Sequence, residues 1–373
     1  MKKDKIIPRI RKKNKQRKAQ SLQLLQKNKK PVYINKSPSA WKASTILFLS
    51  SLMTIILVIP TLIVVPFMTE SGEEEAAVEK KGDDVELAMG DSPFAVEVMR
   101  ANSEQVETVP LETYVSRVVA SETPAEFELE ALKAQALAAR TFIVNRLLHQ
   151  DGADQSDVTD TTSDQVYHND QELRQSMGSD YEEEMAKIKK AVAATKGEIL
   201  TYENNPITAA YFSTSNGYTE NSEDYWDNKV PYLRSVESPW DTNTQKFMDQ
   251  KIFTKTELEE SLGADLPTLD KLSMEVSRTE GNRVDQLTMG EKSYSGRKIR
   301  EELGLKSSDF SIEKKNDHLI FTTKGFGHGI GMSQFGANGM AEDGKTYQEI
   351  VKHYYQGVDV STVSDTAPAL VAK

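Results

Sequence analysis

Apolar residues recur at helical spacing in the segment 129–147. They follow one another at steps of three and four residues: Leu129, Leu132, Ala136, Ala139, Ile143 and Leu147. This spacing is typical of an amphipathic helix whose apolar stripe is buried. The opposite face carries only small or modest residues, so another helix or a ligand can approach it closely: Ala134, Ala138, Thr141 and Asn145.

A start signal precedes this helix. Thr123, Pro124 and Glu126 have the spacing of a capping threonine, a proline at the first helical position and the glutamate of a capping box. We therefore expect the helix to begin at Pro124, with the acid Glu122 immediately before it.

Lys133 and Arg140 are seven residues apart on one flank of the stripe, about 10 Å along the helix axis. Two interpretations follow. In one, the segment is a core helix whose cations pair with local acids, namely Glu126, Glu128 or Glu130. In the other, Glu122 is a catalytic acid flanked by two cations. The segment by itself favours the first interpretation, and the second needs support from elsewhere in the chain.

Alternating apolar positions and turn residues predict further elements. Strands are expected at 94–98, 198–202 and 207–213, helices at 111–121 and 180–195, and hairpins at 274–289 and 308–323. Thr346 and Glu349 repeat the capping-box spacing before a helix that ends ahead of Gly357. The combination predicts a mixed α+β fold.

The segment 43–68 contains no charged residue and is long enough to cross roughly 30 Å of hydrocarbon once. We interpret it as a single transmembrane helix. A cleaved signal peptide has a shorter apolar region, of about 7 to 15 residues, and no A-x-A site precedes the acidic stretch that follows.

Charge is distributed unevenly around this segment. Residues 1–42 contain 15 of the 46 lysine and arginine residues and one acid, Asp4, so they carry +14 while the remaining chain carries −25. The positive-inside rule then places residues 1–42 in the cytoplasm, as a basic tail, and the rest outside. A basic tail beside a membrane span more often sets topology than binds nucleic acid, so we expect no nucleic-acid partner.

Beyond the membrane, residues 69–91 are rich in glutamate and poor in large apolar residues, which is typical of a solvated, acidic linker. We expect the folded extracytoplasmic domain to span residues 92–360 and residues 361–373 to be a disordered tail. The chain has no cysteine, which excludes disulfides and thiolate metal sites.

The segment 215–241 combines aromatic rings with short polar side chains. Its aromatic residues are Tyr218, Tyr225, Trp226, Tyr232 and Trp240. Rings interleaved with hydroxyl and amide groups suit a carbohydrate groove, although any one aromatic residue more often belongs to a core.

The segment 325–341 has glycines at alternate positions, which let a backbone approach a ligand closely. It lacks the G-K-[ST] of a Walker loop and the spacing of a dinucleotide fingerprint. Ser333 resembles a nucleophile elbow, but Phe335 stands where that motif needs glycine, so serine catalysis is a weak rival. His328 belongs to no H-E-x-x-H pair, and we expect it to be structural or to bond a substrate hydroxyl.

Three long motifs together resemble the stage II sporulation protein D family: ASETPAEFELEALKAQALAARTF, YFSTSNGYTENSEDYW with VPYLRSV, and GFGHGIGMSQFGANGMA. The resemblance spans about residues 94–358. It implies a peptidoglycan lytic transglycosylase of endospore-forming bacteria that acts during forespore engulfment. It also implies an amidase and a membrane protein as partners, and an anchor in the mother-cell membrane facing the forespore.

The resemblance assigns site residues as well. The family's catalytic glutamate falls on Glu122, and its substrate-binding positions fall on Lys133, Arg140, Tyr232 and Arg234. Further motif positions expected at the substrate site are Ser215, His328, Ser333 and Gln334. Some relatives carry cysteine near the loop before Gln165, where this chain has Ser163 and Asp164, so we expect neither a metal nor a cofactor.

We therefore predict cleavage of the MurNAc–GlcNAc bond to 1,6-anhydro ends, with Glu122 as general acid and then base. A helix start and nearby cations favour the charged form of Glu122, whereas burial favours the protonated form. A hydrolase usually needs a second carboxylate, for which Glu220, Glu223 and Asp224 are candidates. The alternative function is a non-catalytic peptidoglycan-binding module that stimulates a partner amidase.

Overall fold

The structure is a computed structural model, and it describes residues 92–150, 156–226 and 228–371. The predicted basic tail, transmembrane segment and acidic linker lie outside these residues. In the described part of the chain, no helix is long and apolar enough to cross a membrane.

The first part of the fold is a helical layer beside a small sheet. Strands β1 (Ala95–Arg100) and β2 (Gln105–Pro110) pair antiparallel, and β3 (Val158–Thr159) adds to β1 in parallel. Helices α1 (Leu111–Glu122), α2 (Leu129–His149), α3 (Asp170–Met177) and α4 (Tyr181–Ala194) follow, and α1, α2 and α4 contact one another. The apolar stripe predicted on α2 is buried in this core at Leu132, Ala136, Ala139 and Ile143.

The second part surrounds the other face of α2. Strand β4 (Glu198–Tyr202) pairs with β5 (Asn205–Pro206), and β6 (Tyr211–Phe212) is followed by a long, largely irregular segment up to residue 247. The small residues Ala134 and Ala138 of α2 lie in this second core, which explains why that face carries no large or charged side chain. The close approach predicted there is to the protein's own chain.

The third part consists of two three-stranded sheets. Its elements follow in this order along the chain: strand β7 (Met248–Thr254), helix α5 (Lys255–Leu262), strands β8 (Met274–Arg278), β9 (Val284–Met289) and β10 (Lys292–Ser295), helix α6 (Gly296–Glu302), and strands β11 (Phe310–Lys315) and β12 (His318–Lys324). Strands β8 and β9 form one predicted hairpin, and β11 and β12 form the other. Both hairpin predictions are confirmed.

The chain then returns to the second part. Strand β13 (Met332–Ser333) pairs in parallel with β6, and helices α7 (Gln334–Glu342) and α8 (Tyr347–Tyr354) follow. Thr346 and Glu349 form the predicted capping box at the start of α8. The mixed α+β fold class is confirmed.

The prediction of a disordered tail from residue 361 is wrong through residue 371. Strand β14 (Asp359–Thr362) pairs antiparallel with β4, and two single-turn helices, α9 (Val363–Thr366) and α10 (Pro368–Val371), complete the described chain. Val363, Ala367 and Leu370 are buried against Val144 and Ile199. These apolar residues are spaced by three and four, a signal too short to stand out in sequence.

Candidate active site

A cavity of about 680 Å³ lies where the first part of the fold meets the glycine-rich segment. Its walls come from distant stretches of the chain: Glu122, Phe142, residues 162–165, residues 208–213, Trp226, Lys246, Arg297, residues 326–328 and Gln334. Of the predicted site residues, it brings together Glu122, His328 and Gln334.

Glu122 is the last residue of α1 rather than the residue before α2. Thr123, the predicted N-cap, is the C-cap of α1, and its N–H and hydroxyl donate to Val119 O at 3.0 and 2.6 Å. The expected helix start at Pro124 is therefore wrong, and α2 begins at Leu129. Glu122 lies at the carbonyl end of a helix, where the helix dipole disfavours a negative charge.

Two donors hold one oxygen of Glu122. The backbone N–H of Val166 donates to Oε1 at 2.9 Å, and the hydroxyl of Tyr211 donates to the same atom at 3.4 Å. Burial raises the pKa of Glu122 above its ordinary value, and these two hydrogen bonds offset only part of that rise. Glu122 therefore keeps its proton to higher pH than an exposed glutamate, as a general acid requires.

The second carboxylate in the cavity, Asp164, is engaged by its own loop. Its Oδ2 accepts hydrogen bonds from the backbone N–H and the hydroxyl of Thr159, both at 2.9 Å. Arg146 Nη1 is 3.8 Å from its other oxygen. These contacts hold Asp164 within the loop that carries Gln165.

The acids considered for a hydrolase lie outside this cavity. Glu220 is buried and accepts from Thr279 Oγ1 at 2.9 Å, with Arg283 Nη1 at 3.4 Å. Glu223 is paired with Arg234. Asp224 lines a separate, smaller cavity together with Glu220. In the part of the chain that the structure describes, no three His, Cys, Asp or Glu side chains come together as metal ligands.

His328 ties the glycine-rich segment to β6. Its Nδ1 accepts from the N–H of Ile330 at 3.0 Å, and the ring also hydrogen-bonds the backbone of Tyr211. Burial and the positive charges of Arg300 and Arg283 lower the pKa of His328 to about 4, so the ring is neutral at pH 7. The His328 ring therefore contacts the backbone of both Ile330 and Tyr211, next to the cavity that it lines.

The backbone of the glycine-rich segment packs closely against the chain at the start of β6. Gly331 has φ +77°, and a Cβ at this position would lie 2.0 Å from Ala210 O. The predicted close approach is thus between two stretches of this chain. Beyond it, Gln334 is 6% exposed and lines the cavity, and its Nε2 has no hydrogen-bond partner among the described residues.

Arg140 does not reach the cavity, which corrects the expectation that it binds substrate. Its side chain is fully buried and donates from Nη2 to Glu112 Oε2 at 2.6 Å. Lys133 also lies outside the cavity lining, with Nζ 2.6 Å from Glu130 Oε1. The interpretation of α2 as a core helix with local ion pairs therefore holds for Lys133, which pairs with Glu130. Arg140 instead pairs with Glu112, on the neighbouring helix α1.

Tyr232 and Arg234 lie outside the cavity lining as well. The Tyr232 hydroxyl accepts from the N–H of Thr208 at 3.0 Å, so it supports a residue of the cavity wall from outside. Arg234 Nη1 donates to Glu223 Oε1 at 2.7 Å. Tyr232 and Arg234 therefore contact residues around the cavity and do not line it.

Ser215 and Ser333 meet at a buried carboxylate. Their hydroxyls donate to Asp241 Oδ2 at 2.8 Å and Oδ1 at 2.6 Å, and Ser238 donates to Oδ2 at 2.6 Å. Ser333 also caps α7 by accepting from the N–H of Gly336. All three serines are fully buried. Among the described residues, no histidine hydrogen-bonds to the Ser333 hydroxyl.

Sequence reasoning missed Gln165, Tyr211 and Lys246 as cavity residues. Tyr211 opens the second motif quoted above and was therefore visible in the sequence, but nothing there indicated its contact with Glu122. Of the five aromatic residues in the segment 215–241, only Trp226 is among the residues that line the cavity.

Comparisons with known proteins agree with this arrangement of motifs. A family model described as "SpoIID: Stage II sporulation protein" matches residues 99–202. Stage II sporulation protein D of Bacillus amyloliquefaciens is 46% identical over 340 residues, which cover 88% of this chain and 98% of that protein. Stage II sporulation protein D of Bacillus subtilis is 46% identical over 323 residues, covering 84% and 94%.

A protein named amidase enhancer, also from Bacillus subtilis, is 31% identical over 300 residues, which cover 66% of this chain and 40% of that protein. The alignments with the two relatives at 46% identity cover 84–88% of this chain and 94–98% of those proteins. On this similarity, the chain belongs to the stage II sporulation protein D family.

Proposed function

We propose that this chain is a peptidoglycan lytic transglycosylase in which Glu122 is both general acid and general base. Family membership and the relative named amidase enhancer support a sporulation role at the cell wall. The observation that carries the catalytic proposal is the raised pKa of Glu122 inside the cavity, where the other carboxylate, Asp164, is hydrogen-bonded by Thr159.

The proposed reaction needs one carboxyl group. Protonated Glu122 donates its proton to the glycosidic oxygen as the bond from C1 of MurNAc to that oxygen breaks, and positive charge develops on the ring. The carboxylate then accepts the proton of the C6 hydroxyl, whose oxygen forms the new bond to C1. Glu122 ends protonated, and no water is consumed.

The cavity offers suitable contacts for a glycan strand. Trp226 and Phe326 give it aromatic walls, on which sugar faces can stack. Gln334 Nε2 is a donor without a protein partner among the described residues. Lys246 and Arg297 are the cations on its lining, and they replace Lys133, Arg140 and Arg234 as the residues expected to hold an acidic muramyl sugar.

The runner-up function is a non-catalytic module that binds peptidoglycan and stimulates an amidase partner. The relative named amidase enhancer favours it. The anchor at residues 43–68, with residues 1–42 in the cytoplasm and the domain facing the forespore, belongs to the proposal under either function.

Product analysis separates these functions. The full chain is incubated with peptide-stripped glycan strands, and the products are identified by mass spectrometry. Anhydro-muramyl ends support the transglycosylase, and reducing ends indicate a hydrolase. Strands that are retained by the protein but not cut identify the binding module.

A further inference from the structure

The hydrogen bonds around Glu122 continue as a directed chain into the core. The Tyr114 hydroxyl donates to Gln165 Oε1 at 3.0 Å, and Gln165 Nε2 donates to the Tyr211 hydroxyl oxygen at 3.1 Å. The Tyr211 hydroxyl then donates to Glu122 Oε1 at 3.4 Å. Each hydrogen bond joins two different segments of the chain. Tyr114 and Glu122 lie on α1, Gln165 lies in the loop before α3, and Tyr211 lies on β6.

The direction of this chain is set at its buried end. Tyr114 is fully buried and gives its proton to the carbonyl oxygen of the Gln165 amide. The amide nitrogen of Gln165 must then face Tyr211 as a donor. Because the Tyr211 oxygen accepts that hydrogen bond, its own proton points toward Glu122.

The two oxygens of Glu122 consequently differ. Oε1 accepts from both Tyr211 and the N–H of Val166. Oε2 has no hydrogen-bond partner among the described residues, and it is the oxygen left for the cavity. A proton on Oε1 would compete with two donors, so the proton of the neutral carboxyl belongs on Oε2.

We propose that Tyr211 is a positioning residue, held as a donor by Gln165 and Tyr114, which keeps Glu122 Oε1 an acceptor and places the transferable proton on Oε2. This inference rests on the proposed role of Glu122 and adds how that carboxyl presents its proton to a sugar. The other charged or titratable groups on the cavity lining are Asp164, Lys246, Arg297 and His328.

The test compares pH profiles of the full chain. Tyr211→Phe removes one donor to the carboxylate, which raises the pKa of Glu122 further. The alkaline limb of the kcat/KM profile should move to higher pH, and kcat should fall by roughly 10-fold because the proton is no longer directed. Tyr355→Phe is the matched control, since its buried hydroxyl donates to Ala210 O and does not contact Glu122; its limb should stay in place.

A second variant tests the chain behind Tyr211. Gln165→Met removes the donor that orients Tyr211 and should give a smaller shift in the same direction. In the Tyr211→Phe background it should shift the limb no further, because the two residues act through one hydrogen bond. A further shift of the alkaline limb in that background would overturn the proposal that Gln165 acts through Tyr211.

A direct titration keeps this test separate from the proposed activity. The ¹³C shift of the Glu122 carboxyl carbon, assigned by its loss in Glu122→Gln, reports its pKa without turnover. A higher pKa of Glu122 in folded Tyr211→Phe supports the positioning role even if no anhydro ends form. In that case only the proposed function fails. An unmoved titration in that folded variant overturns the positioning role.

Discussion

Arg140 and Glu112 form an ion pair in which both side chains are buried, with Arg140 Nη2 2.6 Å from Glu112 Oε2. Glu112 Oε1 also accepts from the N–H of Gly197 at 3.0 Å, and Arg140 Nη1 donates to the carbonyl of Glu198 at 3.1 Å. The pair thus joins α1, α2 and the start of β4. It fixes α1, whose last residue is Glu122, against α2.

We expect Arg140→Met to act on stability. Removing one partner leaves a buried, unpaired carboxylate at Glu112, and such a loss costs about 3–5 kcal/mol. Chemical denaturation should therefore show a large loss in the free energy of unfolding. The double variant Arg140→Met with Glu112→Leu should lose less, because no buried charge is left.

Activity assays decide between this role and substrate binding. Under conditions where Arg140→Met is still folded, the KM for glycan strands should match that of the wild type. A variant of unchanged stability with a raised KM would instead restore Arg140 to the substrate site.

The same helix shows how far the sequence was informative. Its periodic apolar positions predicted a buried stripe, and the stripe is buried. The start signal at Thr123 misled, because a threonine before a proline can close one helix as well as open the next. Here its hydroxyl donates to Val119 O, so Thr123 ends α1.

The cavity was harder to predict because its residues are distant in sequence. Glu122 came from a motif, whereas its partners Val166 and Tyr211 lie 44 and 89 residues away. Similarly, the partner of Arg140 lies 28 residues back on a neighbouring helix. Local spacing identifies charged residues but not which of them meet in the fold.

Lys246 should contribute to binding of an anionic strand. It lines the cavity, its side chain is exposed, and its Nζ lies 5.2 Å from the Phe335 ring centroid. Lys246→Met removes one charge-assisted contact, so KM for peptide-stripped strands should rise roughly 3- to 10-fold with kcat little changed.

Lys133→Met is the matched control, because Lys133 is paired with Glu130 outside the cavity. Its KM should stay at the wild-type value. If Lys133→Met raised KM and Lys246→Met did not, the assignment of the cations would be reversed.

Glu122 should lower stability at neutral pH. Burial raises its pKa in the folded chain. Between the unfolded pKa, about 4.3, and the higher folded value, the folded state holds a proton that the unfolded state has lost, so stability falls as pH rises through this window. Glu122→Gln removes this dependence.

Thermal denaturation at several pH values checks this sign. The difference in Tm, Glu122→Gln minus wild type, should vary little with pH near pH 4. It should then increase toward pH 7, because the wild type loses stability over this range and the variant does not. Glu275→Gln, at an exposed acid of β8, should show no such trend. A Glu122→Gln variant that loses stability relative to wild type as pH rises would contradict the raised pKa.

The role of Glu122 is tested most directly by the rate at which the full chain forms anhydro-muramyl ends from peptide-stripped glycan, for wild type and Glu122→Gln. Gln keeps the shape of Glu122 but has no proton to transfer, and general acid–base catalysis contributes roughly 10²- to 10⁴-fold. We predict a fall of that size with glycan retention unchanged. Formation of anhydro ends by Glu122→Gln at a near wild-type rate would contradict the assignment of Glu122 as the acid and base.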